Sequence, residues 1–326
     1  MIQTRFVSVI VLSVSILAAE GCSKRVQQVQ LAGEPAADIA ELWQTPGDLE
    51  QRDLLHGPGG ESLKPRAAVF AFVAEDRTGW SPGFDVRDAE GVTWSVKLGP
   101  EAQPEVVSSR ILWAIGYHQP PAYYLDNWTM HGGPAGEQPP GRFRPDLPSH
   151  QEVGDWSWYE NPFVESQPYR GLVVANLILN NWDWKTSNNK VYRLREPVGG
   201  VNRMFVVRDV GASLGKTSYP TLLKWFRLRG FGQGTRNDVA GFETQGFVER
   251  VDEDSRVTFD YRGIYKDVIS IVRADDVRWT CALLARLSDE QWSDAFRAGG
   301  YAPEQAARYV KKLKEKIAQG IALKGA

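Results

Sequence analysis

Asp209 closes an apolar run, Met204–Val207, and Gly211 follows two residues later, so a carboxylate leaves a strand-like segment where glycine lets the chain turn tightly. A charge in such a place needs a cation or a hydrogen-bonded partner, because an unpaired buried carboxylate is costly. Upstream, Asn181-Trp182-Asp183-Trp184-Lys185-Thr186-Ser187-Asn188-Asn189 gathers a carboxylate (Asp183), an ammonium (Lys185) and a carboxamide (Asn188) on one polar stretch. Asn188 and Asp209 together offer oxygen ligands, which suit magnesium or manganese bridging nucleotide phosphates. The bland alternative for the stretch is a polar loop capped by Asp and Asn. Further upstream, Val96-Lys97 sets an amine on a strand-like segment, and Glu105 lies in the first turn of the helix-like segment that follows. Each of these is ordinary alone: strand lysines are commonly solvated, a first-turn Glu answers the helix dipole, and Glu101 competes with Glu105. The ordered set says more than any member.

The elements that must position these residues follow from periodicity and punctuation. Ala68–Ala74, Phe84–Arg87 and Thr93–Leu98 read as strands, with a turn at Asp88–Gly91. Glu105–Ile115 reads as a helix that Gly116 stops, and His131–His150, dense in Gly and Pro, as a loop or hinge. Gly171–Leu179 is an apolar helix before the polar stretch, and Lys190–Leu194 and Met204–Val210 are strands after it. Gly230-Phe231-Gly232-Gln233-Gly234 belongs to loops, and Ala282–Leu287, Asp289–Arg297 and Pro303–Gln319 carry helical spacing. Strands first and helices last predict an α+β fold with a small β-rich lobe, residues 66–125, and a larger helical lobe, residues 126–326.

The order Lys97, Glu105, Asp183, Lys185, Asn188, Asp209 resembles the protein-kinase-like superfamily, nearest to its atypical members: HipA-like kinases, lipid kinases and exported kinases. Asp183-x-Lys185-x-x-Asn188 has the spacing of the kinase catalytic loop, and Asp209-Val210-Gly211 resembles the Asp-Phe-Gly metal motif. The resemblance runs from about Ala67 to Gly215. It implies a two-lobed fold that uses Mg- or Mn-ATP. Lys97 would pair nucleotide phosphates and Glu105 would orient it. Asp183 would accept the acceptor's proton, Lys185 would steady the phosphoryl group, and Asn188 and Asp209 would hold the metal. The acceptor is left open among a protein, a lipid head group and a sugar. Two departures stand out. Asn181-Trp182 replaces the usual His-Arg pair before the catalytic Asp, and no G-x-G-x-x-G precedes Lys97, where Gly79-Trp80-Ser81-Pro82-Gly83 is the nearest candidate.

Two rivals share these residues. Gly211-Ala212-Ser213-Leu214-Gly215 fits the G-x-S-x-G of a serine hydrolase, but that fold needs a histidine after the serine, and His56, His118, His131 and His150 all precede it. The histidines also lack zinc spacing. The other rival is a catalytically inactive kinase-like domain or a lipoprotein binding glycan or protein through aromatics such as Trp156, Trp158 and Tyr159.

The N-terminus sets the compartment. Arg5 precedes the uncharged run Phe6–Ala19, too short for a permanent membrane span and read as a signal peptide over residues 1–21. Ala19-Glu20-Gly21-Cys22 resembles the lipobox of bacterial lipoproteins, with Glu20 as a departure, so Cys22 is expected to be acylated. The chain would then be exported and lipid-anchored on a periplasmic or outer-surface face, with residues 22–65 as a spacer. Ala37–Trp43 could form a short helix within it. The one other cysteine, Cys281, is expected as a buried thiol, so no disulfide framework exists. A net charge of -2 gives no broad basic face for nucleic acid.

Overall fold

Alternation decides the first part of the chain. A strand over Thr93–Leu98 must put Trp94, Val96 and Leu98 on one face and Thr93, Ser95 and Lys97 on the other. In the computed structural model, which describes residues 26–29, 36–66, 68–76, 81–134, 136–218 and 233–324, the first three are buried and the second three half-buried. The expected signal peptide, Cys22, Gly79-Trp80 and Gly230-Phe231-Gly232 lie outside the described residues.

In chain order, the short strand β1 (Gln27–Gln28) precedes a series of 3-10 turns between residues 39 and 63. A meander follows, β2 (Val69–Asp76), β3 (Gly83–Arg87) and β4 (Thr93–Leu98), and then helix α1 (Ala102–Ala114). Strands β5 (Tyr123–Leu125), β6 (Trp128–His131), β7 (Glu137–Gln138) and β8 (Gly141–Pro145) complete a seven-stranded sheet in the order β5-β8-β4-β3-β2-β6-β7. One of its faces buries Phe70, Val86, Trp94, Val96, Trp128, Met130 and Phe143 as one cluster.

Next come β9 (His150–Asp155), β10 (Glu160–Asn161) and α2 (Gln167–Ile178), then β11 (Asn189–Val198) and β12 (Val201–Val207). Strands β12, β11 and β9 form a second sheet, and β10 pairs in parallel with β1. Ser166 starts α2 by accepting from the Tyr169 amide, with a proline in the first turn. The remainder is α3 (Val239–Thr244), the hairpin β13 (Val248–Val251) and β14 (Val257–Phe259), and helices α4 (Lys266–Ile269), α5 (Ala274–Leu284), α6 (Asp289–Ala298) and α7 (Pro303–Ile321). The order is α+β, with a β-rich first part and a helical last part. Among the described residues no helix is long and apolar enough to cross a membrane.

Three expectations are corrected. The stretch His131–His150, expected as a loop or hinge, contains β7 and β8; prolines flank β8, but Phe143 alternates with Arg142 and Arg144 and is buried beside β4. The β-rich part therefore runs to Pro145, past the expected boundary at 125. From residue 36 the expected spacer is part of the folded body, because Leu42, Leu49 and Leu54 are buried in the large core. Within it, Ala37–Trp43 forms only a 3-10 turn, Ile39–Glu41, capped by Asp38. Gly116 does stop α1: its φ is 102°, and a Cβ there would stand 2.2 Å from the Gln44 carbonyl oxygen. Cys281 is buried, which pushes its thiol up to about 12.

Candidate active site

Lys97 projects from the opposite face of the sheet, toward α1, between Gly83 on β3 and Arg142 on β8. Its Nζ lies 2.8 Å from Glu105 Oε2, 2.7 Å from Asp209 Oδ2 and 3.5 Å from Glu101 Oε2. Glu105 is therefore its close partner on α1. Glu101, one turn earlier, turns to an ion pair with Arg236. The other oxygen of Glu105 faces Arg142 Nε at 2.8 Å and Arg144 Nη2. A fully buried carboxylate thus sits among three cations. Burial alone would raise the Glu105 carboxyl, but Arg142, Lys97 and Arg144 pull it below its ordinary value, so it stays ionised. Burial works against the Lys97 ammonium in the same way, and Glu105 and Asp209 more than reverse that.

The loop after α2 is held by its buried members. Asn180 takes a left-handed φ of 54°, and its side chain donates to the Gly215 carbonyl at 2.7 Å. Asn181 donates to Asn176 Oδ1 at 2.9 Å, and the Trp184 indole donates to the Asn181 carbonyl at 2.8 Å. Trp182 is buried, with the Arg236 guanidinium 4.9 Å over its ring. With Trp182 and Trp184 turned inward, Asp183 and Lys185 face outward and pair at 2.8 Å. Asn188 Nδ2 donates to the Asp183 carbonyl at 2.7 Å.

One backbone link joins the two groups. The Asn188 carbonyl accepts from the Arg208 amide at 2.9 Å and the Asp209 amide at 3.1 Å. This sets the end of β12 against the loop. Asp209 Oδ1 accepts from the Gly211 amide at 3.3 Å. Burial would raise the Asp209 carboxyl, but Lys97, Arg144 and Arg142 hold it well below the usual carboxylate range. Lys97, Glu105 and Asp209 thus form one contact cluster, Asp183, Lys185 and Asn188 a second, and the Asn188 carbonyl connects them.

The cleft over Lys97 and Asp209 has a volume of about 400 Å³ and is also lined by Arg142, Arg144, Arg208 and Tyr192. Sequence reasoning missed these arginines because Arg142 and Arg144 fall in the Gly- and Pro-rich stretch; the Arg-Phe-Arg alternation was the available signal. Arg144 also donates to the Arg208 carbonyl at 3.1 Å, which ties β8 to the approach to Asp209.

The serine-hydrolase alternative fails on geometry. Ser213 is fully buried; its Oγ donates to the Val210 carbonyl and lies 2.8 Å from Ser108 Oγ, with no histidine among its partners. Of the aromatic platform, Trp156 and Trp158 belong to the core, and Tyr159 is only half-buried.

Metal fit can be tested on the donor set. Among the described residues no group of three or more His, Cys, Asp or Glu side chains is placed to hold an ion. The chain offers instead one partly exposed carboxylate, Asp209, and one amide oxygen, Asn188, on adjoining backbone. That sparse all-oxygen set fits magnesium, which keeps waters and takes phosphate oxygens as its remaining ligands.

The fold and site define an α+β protein that carries, in chain order, a strand lysine, a helix glutamate, a loop aspartate and a strand-end aspartate. No family profile matches the chain, and no curated protein matches it. Among solved structures it is similar to a Helicobacter pylori proinflammatory kinase, CtkA, at 12% identity and a TM-score of 0.45, over 78% of this chain and 96% of that one.

Proposed function

We propose that this chain is an exported, lipid-anchored phosphotransferase that moves a phosphoryl group from Mg- or Mn-ATP to a hydroxyl acceptor. The observation that carries the reading is the Lys97 ammonium, held at once by Glu105 and Asp209 at 2.8 and 2.7 Å. Glu105 fixes the amine at the cleft floor, and nucleotide phosphates would take over the place that Asp209 holds on it. Asp209 and Asn188 would hold the metal, which when bound neutralises phosphate charge. Arg142 and Arg144 add positive charge beside Lys97, so the chain supplies charge stabilisation from fixed groups. Asp183 would take the acceptor's hydroxyl proton, and Lys185, paired with it at 2.8 Å, would steady the phosphoryl group. Cys22 would carry the lipid.

The test is a melting-temperature titration with ATP, with metal, and with both. ATP and metal together should raise the melting temperature more than either alone. No shift under any combination would remove the nucleotide-binding reading. A second reading, a kinase-like binder without activity, draws on Asn181-Trp182 replacing the usual His-Arg pair and on the Lys97–Asp209 contact closing the metal carboxylate. It predicts the same joint shift with no autophosphorylation, hydrolysis or transfer.

A further inference from the structure

Beside the loop that carries Asp183 lies a cavity of about 500 Å³, separate from the Lys97 cleft. Its aromatic walls are Tyr159 and Tyr265, with the buried Trp184 behind them, and its rim includes Gln27, Glu160 and Lys185. Trp184 and Tyr265 stack with ring centroids 6.1 Å apart and planes 18° apart. Lys185 connects this cavity to the proposed base, since its Nζ is 2.8 Å from Asp183 Oδ2. Gln27 reaches the rim because β1 pairs in register with β10, Gln27 opposite Glu160.

From these placements we propose that this cavity is the acceptor subsite, and that its ligand is a hydroxylated ring, sugar- or inositol-like, presented at the membrane surface. The proposal rests on reading Asp183 as the base and Cys22 as the anchor. Three features select the ligand class. A saturated ring bearing hydroxyls has an apolar C–H face that suits aromatic walls, and a hydroxyl edge that needs acceptors and donors, here Glu160, Gln27 and Lys185. The volume suits a head group and not a protein surface. A folded protein acceptor would need a broad docking face.

The third feature is reach. Gln27 is the fifth residue after Cys22. An extended chain spans at most about 3.5 Å per residue, so Gln27 lies within about 17 Å of the acylated residue. The rim of the cavity is therefore held near the lipid surface however the remainder of the domain turns. In the proposed step the ring hydroxyl oxygen bonds to the γ-phosphorus of ATP and the bond from phosphorus to the ADP oxygen breaks. The hydroxyl proton passes to Asp183, and thence to solvent. The products are the phosphorylated ring, ADP and one proton.

The test uses the full lipoprotein in phosphatidylcholine vesicles, with and without a glucosyl-diacylglycerol, and methyl glucoside as the soluble arm. Hydrogen exchange without nucleotide reads protection at residues 157–160 and 264–266. Expected are protection by the glucolipid, at least tenfold weaker apparent binding of methyl glucoside, and loss of protection in Tyr265→Ala. Glu160→Ala, at an exposed position, should weaken binding about tenfold at unchanged melting temperature. Binding unchanged in both variants, or no protection by either probe, overturns the subsite. Protection by methyl glucoside alone overturns its membrane-facing placement. Label transfer from ATP is scored separately. Protection without transfer supports the subsite and counts against the phosphotransferase reading only.

Discussion

The Lys97 ammonium lies 2.7 Å from the Asp209 carboxylate, across 112 residues of chain, and this pair couples β4 of the large sheet to the end of β12. A carboxylate leaving an apolar strand needs a cation or a hydrogen-bonded partner. Here Asp209 is already paired, and ligand binding must exchange that partner.

Asp209→Asn is accordingly expected to lower the stability of the unliganded protein by about 1.5 kcal/mol, the low end for a lost charged hydrogen bond, because Glu105 still serves Lys97. The same variant should lose the joint Mg-ATP shift, which for wild type at a hundredfold excess over Kd corresponds to about 2.7 kcal/mol. Differential scanning calorimetry of both proteins checks both halves. A full shift in the variant would exclude Asp209 as a metal ligand.

Acid should act through the same cluster. The folded-state values of Glu105 and Asp209 are depressed from 4.5 and 3.8, so in acid the unfolded chain binds more protons than the folded one. Their contribution is full above those values and is lost as pH falls through the lower folded-state ones. Glu105→Gln should therefore show a shallower acid loss below about pH 4, together with a loss of about 3–5 kcal/mol at neutral pH from stranding buried cations. Urea unfolding across pH 3–7 reads the slope. Equal slopes in the two proteins would contradict the assignment.

The strand that carries Lys97 was legible in the residues. Thr93–Leu98 was read with its exact bounds because alternation is unambiguous there, and that fixed the face from which Lys97 projects. Asp183, Lys185, Asn188 and Asp209 were readable because the spacing is local. What escaped depended on distant partners. Glu101 and Glu105 are one helical turn apart and share a face, so only the position of Arg236 separates their roles. Arg142 and Arg144 were hidden because prolines flank a strand whose pairing with β4 is what makes it a strand. Leu42, Leu49 and Leu54 sit in a stretch too irregular for periodicity to reveal their burial.

Anchoring has its own test. Cys22→Ser is expected to leave the protein soluble or as an uncleaved precursor, whereas wild type fractionates with membranes and incorporates a palmitate analogue. Unlabelled wild type would remove the anchor, and with it the 17 Å reach argument.

Asp183→Asn should lower phosphoryl transfer by roughly 10²–10⁴-fold, the range for removing a general base. The melting temperature and the Mg-ATP shift should hardly change. The side chain's ion pair is with Lys185, which is 62% exposed, and such pairs contribute little to stability. Single-turnover transfer with matched nucleotide titrations separates the two effects. Undiminished transfer in the variant would assign the base elsewhere.

The last prediction concerns Lys316 on α7, which is buried yet holds the start of the same loop. Its Nζ donates to Asn180 Oδ1 at 2.7 Å and to the Ile178 carbonyl at 3.0 Å, and lies 4.3 Å over the Phe242 ring. Burial, with Lys312 adding repulsion, depresses its folded-state value well below 10.5. Between that lower value and 10.5 the unfolded chain binds more protons, so unfolding free energy rises with pH over the interval. Below it the cost of the buried charge is fully present. At neutral pH, Lys316→Met trades relief of that cost against two stranded carbonyl acceptors, each worth about 1–3 kcal/mol, so the terms offset in large part. The pH slope is the sharper readout. Unfolding free energy of wild type minus variant should rise between pH 7 and 10, and other titrating groups cancel in the difference. Asn180 would also lose a partner that helps hold its left-handed backbone, so phosphoryl transfer should fall in the variant even where the fold survives. A flat difference across that range would mean that the Lys316 amine is not depressed. Unchanged transfer would mean that the loop holds its geometry without Lys316.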